Sequence, residues 1–149
     1  IRLHTLRKYQ AARSMDMRNR DYGAYVVSGV IGAGEVSQVR WTEPKATLKF
    51  DVYPADCRLH MKYWVVDQAI PLHSTITIRV NGNEAGHVSQ DKTGTQDAEF
   101  PIPAAWISPR GFTLVEISVD KPLKDAGGTP LGVAIQSMVF DYVQAERRK

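Results

Sequence analysis

The sequence predicts an all-β chain: an antiparallel β-sandwich or jelly roll of about eight or nine strands, with one helix at its N-terminal end. Three observations carry that expectation. Apolar and polar residues alternate with a period of two through most of the chain, as in strands with one face in a core. Clusters of Gly, Pro, Asn and Asp punctuate these runs every 8–14 residues or so, the rhythm of packed antiparallel sheets. No strand–helix–strand alternation occurs, which excludes a parallel α/β sheet. The 149 residues, 43% hydrophobic and 23% charged, suit one globular domain with a real core and exclude intrinsic disorder.

Residues 1–20, IRLHTLRKYQAARSMDMRNR, are helix-compatible. Leu3, Leu6 and Tyr9 recur three apart, and Ala11, Ala12, Met15 and the arginines favour helix. A helix is expected over about 4–18, with a thin apolar stripe that docks weakly or leads in from a preceding domain. Residues 25–30 read as a strand, followed by a Gly-rich loop at 32–34. With no Lys-Ser/Thr after them and no helical pattern, these are loop or bulge glycines rather than a phosphate-binding loop. Residues 37–43 alternate Val39 and Trp41 against Gln38, Arg40 and Thr42, and Pro44 closes the run. Trp41 is expected in the core, which turns Arg40 outward.

Residues 46–53 set Leu48, Phe50 and Val52 against Lys49 and Asp51, and Pro54-Ala55-Asp56 makes a turn. In 58–66, Leu59, Met61, Tyr63 and Val65 share one face, while His60, Lys62 and Trp64 share the other. Ile76, Ile78 and Val80 alternate with Thr75, Thr77 and Arg79. Asn81-Gly82 follows, and these residues tolerate the left-handed backbone of a tight hairpin turn. Ala98, Phe100 and Ile102 point inward ahead of one helical turn at 103–107, where Trp106 plugs the core or forms a rim. Val115, Ile117 and Val119 line one face of 111–120. Finally Leu131, Val133 and Ile135 give way to Met138, Phe140 and Tyr142, the change of phase that a β-bulge produces. The expected core is Leu48, Phe50, Val52, Leu59, Met61, Val65, Ile76, Ile78, Val115, Ile117 and Val119.

The net charge of +3 is unevenly spread. Six basic residues against Asp16 fall in 1–20, and Arg147, Arg148 and Lys149 end the chain. That leaves ten basic and fifteen acidic side chains in 21–146, a mildly acidic centre between two basic ends. The expected organisation is a basic helical lead-in (1–20), a β-sandwich domain (21–146) and a basic tail (147–149). The ends read as solvated arms, or as a segment that meets membrane phosphates or nucleic acid. No nucleic acid is expected as the domain's partner. Cys57 alone makes no internal disulfide or multi-thiolate site. It leaves the compartment open, with the cell envelope or the extracellular side favoured. No apolar run is long enough to span a membrane as a helix.

The order of features resembles a family. GVIGAGEVSQVRW precedes the strands ATLKFDV and RLHMKYWVV, then ITIRVNGNEAGHV, AEFPIP and FTLVEISVDKPLKDAGGTPLGVAIQSMVFDYV. Over about residues 25–143 the chain resembles the galactose-binding-like β-sandwich modules appended to bacterial glycosyltransferases and other polysaccharide enzymes. The shared elements are a Glu (Glu35) upstream of Arg40-Trp41, a Val-Asn-Gly hairpin, a Pro-containing lead into the strand ending at Pro103, and a late Leu-Gly-Val-Ala-Ile strand. Where the family pattern often places a basic Asp-Arg-Arg cluster before Leu-Gly, this chain has Gly128-Thr129-Pro130, with Asp125 displaced. The resemblance implies non-catalytic binding of a carbohydrate or glycoconjugate, as an accessory module of a larger glycan-processing protein.

Sugars are held by aromatic faces against C–H groups and by planar polar side chains that bond hydroxyls. The candidates are Trp64 and His60 on the outward face of 58–66, with Arg40, Arg79 and Glu35. Each has a plainer reading: Trp64 under a loop or the helix, Glu35 paired with Arg40, Arg79 on a solvated sheet face. Enzyme activity is not expected. No carboxylate pair has a glycosidase signature, no G-x-S-x-G elbow is present, and the four histidines form no zinc motif. No cofactor is expected. A structural calcium, drawing on Asp141 and Glu35, is an open alternative, because modules of this fold often carry one. The rival functional reading is a structural or protein-interaction β-sandwich, such as an assembly or virion component.

Overall fold

The computed structural model describes residues 13–18, 20–31 and 39–143. Eleven strands lie among them: β1 (Ser14–Asp16), β2 (Val26–Val30), β3 (Arg40–Phe50), β4 (Cys57–Val65), β5 (Thr75–Val80), β6 (Asn83–Ser89), β7 (Gly94–Ile102), β8 (Thr113–Val119), β9 (Leu123–Lys124), β10 (Pro130–Leu131) and β11 (Ala134–Tyr142). Every pairing is antiparallel. The main sheet runs β6-β5-β8-β3-β11-β4-β7, with β1 on β11 and β2 on β3, and β9 and β10 form a separate ribbon. Although β6 and β7 end that order at opposite edges, a Cβ placed on Gly86 of β6 would lie 2.8 Å from the Phe100 ring of β7. The sheet therefore folds over until its edges meet, giving the two layers of a β-sandwich. One layer is β1, β11, β4 and β7; the other is β2, β3, β8, β5 and β6.

All eleven expected core residues are buried in a single cluster between the layers. Phe50 and Phe140, from opposite layers, meet edge to face at 5.2 Å, and Tyr25 packs on Phe50 at 5.5 Å. The change of phase in the last strand is a bulge between Ile135 and Ser137. It lets Ile135 and Met138 both point inward. The Asn81-Gly82 turn has positive φ at both residues, 47° and 85°, the pairing that matches the twist of a two-residue hairpin.

Four expectations are corrected: the N-terminal helix, the strand end at Pro44, and the facing of Arg40 and of Trp41. The N-terminal helix over 4–18 lies outside the described residues up to 12, and Ser14–Asp16 form a strand instead. β3 leaves the edge of β11 after pairing with Ala134 and Ile135, so residues 137–139 have an open edge, and β1 fills it. Burial of Met15 and Met17 at the layer interface overrides helix propensity.

Pro44 does not end its strand. The last backbone bonds of β3 toward β11 are at Thr42, and the register with β8 begins at Lys45. Pro44 thus sits where β3 changes partner, the place where a missing N–H costs least. One parity then runs from residue 40 to residue 50. Burying Ala46, Leu48 and Phe50 forces Arg40 and Thr42 inward and Trp41 outward. Arg40 is 3% exposed, with its guanidinium 4.2 Å from the centre of the Tyr22 ring. Trp41, expected in the core, is half-buried on the outer side.

Candidate functional site

Trp64 stands on the outer face of the β1–β11–β4–β7 layer, 42% exposed. It points outward because Tyr63 and Val65 beside it fill the core. Directly opposed residues of antiparallel strands share a face. Trp64 is opposite Ala134 of β11, and Ala134 is in turn opposite Trp41 of β3. On the other side Trp64 faces Thr95 of β7. The outer face therefore carries one row, Trp41–Ala134–Trp64–Thr95, perpendicular to the strands. Ala134 is 1% exposed although it faces outward, as a methyl between two indoles would be. The place of Trp41 on this face is what the sequence reading missed. Its signal was the even parity of Arg40 with Leu48 and Phe50, hidden by Pro44.

His60 lies two outward positions along β4, at the centre of a charge network. Its Nδ1 is 3.3 Å from Glu99 Oε2 and its Nε2 is 3.0 Å from Asp141 Oδ2. Glu99 also meets Arg58 at 3.4 Å, and Asp141 meets Arg13 at 3.1 Å. Farther along the face, Arg18 donates from Nε and Nη2 to the two oxygens of Asp16, at 2.9 and 2.6 Å. These side-chain bonds hold the Asp16 carboxyl below the usual carboxylate range. Lys62 is opposite Asp97 and Ser137, and neither Lys62 nor Asp97 makes an ion pair among the described residues.

The remaining candidates do not join this face. Arg40 is in the core. Arg79 lies on the other layer, 3.7 Å from Glu84 and opposite Glu116 of β8, a polar sheet contact. Glu35 lies outside the described residues. Asp141, considered as a calcium ligand, is held by Arg13 and His60. Among the described residues, no group of three or more His, Cys, Asp or Glu side chains is placed to hold a metal. Trp106 packs against the core, and its carbonyl accepts from Asn81 Nδ2 at 2.7 Å.

No protein-family model matches the chain, and no curated protein matches its sequence. Among solved structures, the chain is similar to part of a family GH115 4-O-methyl-α-glucuronidase with specificity for decorated arabinogalactans. The TM-score is 0.50 at 13% identity, over 81% of this chain and 17% of that one. It is also similar to part of an exo-β-1,3-galactanase from Phanerochaete chrysosporium, with TM-score 0.48 and 10% identity over 87% of this chain and 29% of that one. A family 35 carbohydrate binding module from Clostridium thermocellum gives TM-score 0.43 and 12% identity, over 78% of this chain and 83% of that one. The chain spans less than a third of either enzyme's length. At these identities the likeness is one of fold.

Proposed function

We propose that this chain is a non-catalytic carbohydrate-binding module of a larger glycan-processing protein, with its ligand resting on the outer face of β4. The observation that carries the reading is the Trp41–Ala134–Trp64 row, two indoles on a rigid sheet with one of them 42% exposed. Indole faces offer stacking area at little entropic cost, and a sheet holds them in fixed relation. The residue order that resembles galactose-binding-like modules supports the same reading. Binding without chemistry fits the carboxylates of this face. Glu99, Asp141 and Asp16 each lie within ion-pair distance of an arginine, which ties up three carboxylates of the kind that glycoside hydrolysis uses in pairs.

Trp64→Ala tests the proposal. An exposed indole adds little to the core, so the variant is expected to melt within a few degrees of wild type, a cost of less than about 1 kcal/mol. Glycan binding in a titration is expected to fall below detection. A large fall in melting temperature, with no glycan bound by the wild type, would favour the protein-interaction reading.

A further inference from the structure

Resting on the platform reading above, we infer that the ligand of this face is an uncharged glycan chain of two or more rings lying across the strands. A single terminal sugar or an acidic glycan does not fit the arrangement. Spacing is the first argument. Trp41 and Trp64 lie on strands separated by β11, so their backbones stand about 9–10 Å apart at the normal interstrand distance. One pyranose ring is too narrow to lie on both indoles. Successive rings of a chain running perpendicular to the strands can do so. Between them stands Ala134, whose short side chain is 1% exposed and puts nothing bulky between the two strands' indoles, and beyond Trp64 the row continues to Thr95.

Charge is the second argument, and it is independent of the first. A uronate or sulfated sugar is recognised by cations free to pair with it. On this face Arg58, Arg13 and Arg18 each already lie within 3.4 Å of a carboxylate, and the His60 ring stands between Glu99 and Asp141. The cation nearest Trp64 in register is Lys62, and Asp97 stands opposite it. An anionic ligand would meet Asp97 as well as Lys62. A neutral chain meets an aromatic row flanked by hydroxyl, amine and carboxylate groups that bond its hydroxyls.

The test is calorimetric titration of wild type, Trp41→Ala and Trp64→Ala. The probes are neutral β-linked gluco-, xylo-, manno- and galacto-oligosaccharides of one to six rings, and galacturonate oligomers of matched length, at low and high salt. At least one neutral series is expected to gain about tenfold in affinity from one ring to three, which is what adding a second stacked ring contributes. Each variant is expected to lose that gain, and salt is expected to leave the affinity unchanged. A monosaccharide that binds as tightly as its trimer would overturn the inference. So would galacturonate oligomers that bind more tightly than the neutral series and weaken in salt. In either case, loss of binding in Trp64→Ala would leave the platform reading standing. Wild type that binds no glycan in the set, while both variants stay folded, would remove the platform reading and this inference together.

Discussion

Trp64 leaves nearly half of its surface in water, although indoles are highly buried on average. Trp41 joins it on the outer face because of where its neighbours must go. With Phe50, Leu48 and Ala46 in the core, the pleat sends Arg40 inward and Trp41 outward. The hydrophobicity of Trp41 pointed the other way, and so did the charge of Arg40. A buried guanidinium is tolerated here by its place over the Tyr22 ring, a partner about twenty residues away that no local pattern reveals. The outward direction of Trp64, by contrast, was legible from alternation, which left open whether a loop or the helix covers it. Two other residues give direct checks. Burial, with Asp56 adding to it, pushes the Cys57 thiol up to about 12. Iodoacetamide at mildly alkaline pH is therefore expected to leave native Cys57 unmodified and to alkylate it in urea, as read by mass spectrometry. The Thr75 backbone N–H, donating at 2.7 Å, holds the Asp120 carboxyl below the usual range, and the Ser74 hydroxyl adds to this. A depressed carboxyl stabilises the fold above its unfolded pKa, near 3.9, and loses that contribution as pH falls through the folded value. Asp120→Asn should accordingly melt below wild type at neutral pH, and the gap should close in acid below about pH 4.

Among the elements, the Asn81-Gly82 hairpin does more than reverse the chain. Asn81 Nδ2 donates to the Trp106 carbonyl and its Oδ1 accepts from the Leu114 N–H, at 2.7 and 2.8 Å. One turn residue thereby ties β5, β8 and the short 3-10 turn Ala104–Trp106 together. Asn81→Ala removes both bonds and puts a less tolerant residue at φ 47°. Chemical denaturation is expected to show a loss of about 2–3 kcal/mol. The turn itself was legible because Asn-Gly has few other uses between two alternating runs. The bulge was legible as a change of phase after Ile135. Pro44 and β1 were not. Proline is a stop signal by itself and is harmless where its missing N–H faces no ladder partner, as at a sheet edge or where a strand changes partners, which is a property of topology. Met15 and Met17 belong to a helix-compatible stretch, and the open edge of β11 that recruits them is created far along the chain.

For the whole molecule, the two layers depend on side chains that meet across them. Phe50 is 1% exposed and contacts Tyr25, just ahead of β2, and Phe140 in the opposite layer. Phe50→Ala should cost about 3–5 kcal/mol in urea denaturation. A cost below about 1 kcal/mol would mean that β3 does not face the core as described. With one apolar cluster packed between the layers, a polar ligand of this sandwich has to be met on its surface, and the Trp row is the aromatic surface that the pairing of β3, β11 and β4 assembles. The chain's three tryptophans make that claim measurable. Trp41 and Trp64 share the row, while Trp106 packs at the hairpin end against the core. In a proton–nitrogen NMR titration with the best-bound neutral oligosaccharide, the indole N–H signals of Trp41 and Trp64 are expected to move together and saturate at one affinity while that of Trp106 stays still. A titration in which the glycan binds and the Trp64 signal does not move, or in which Trp106 moves instead, would contradict the account.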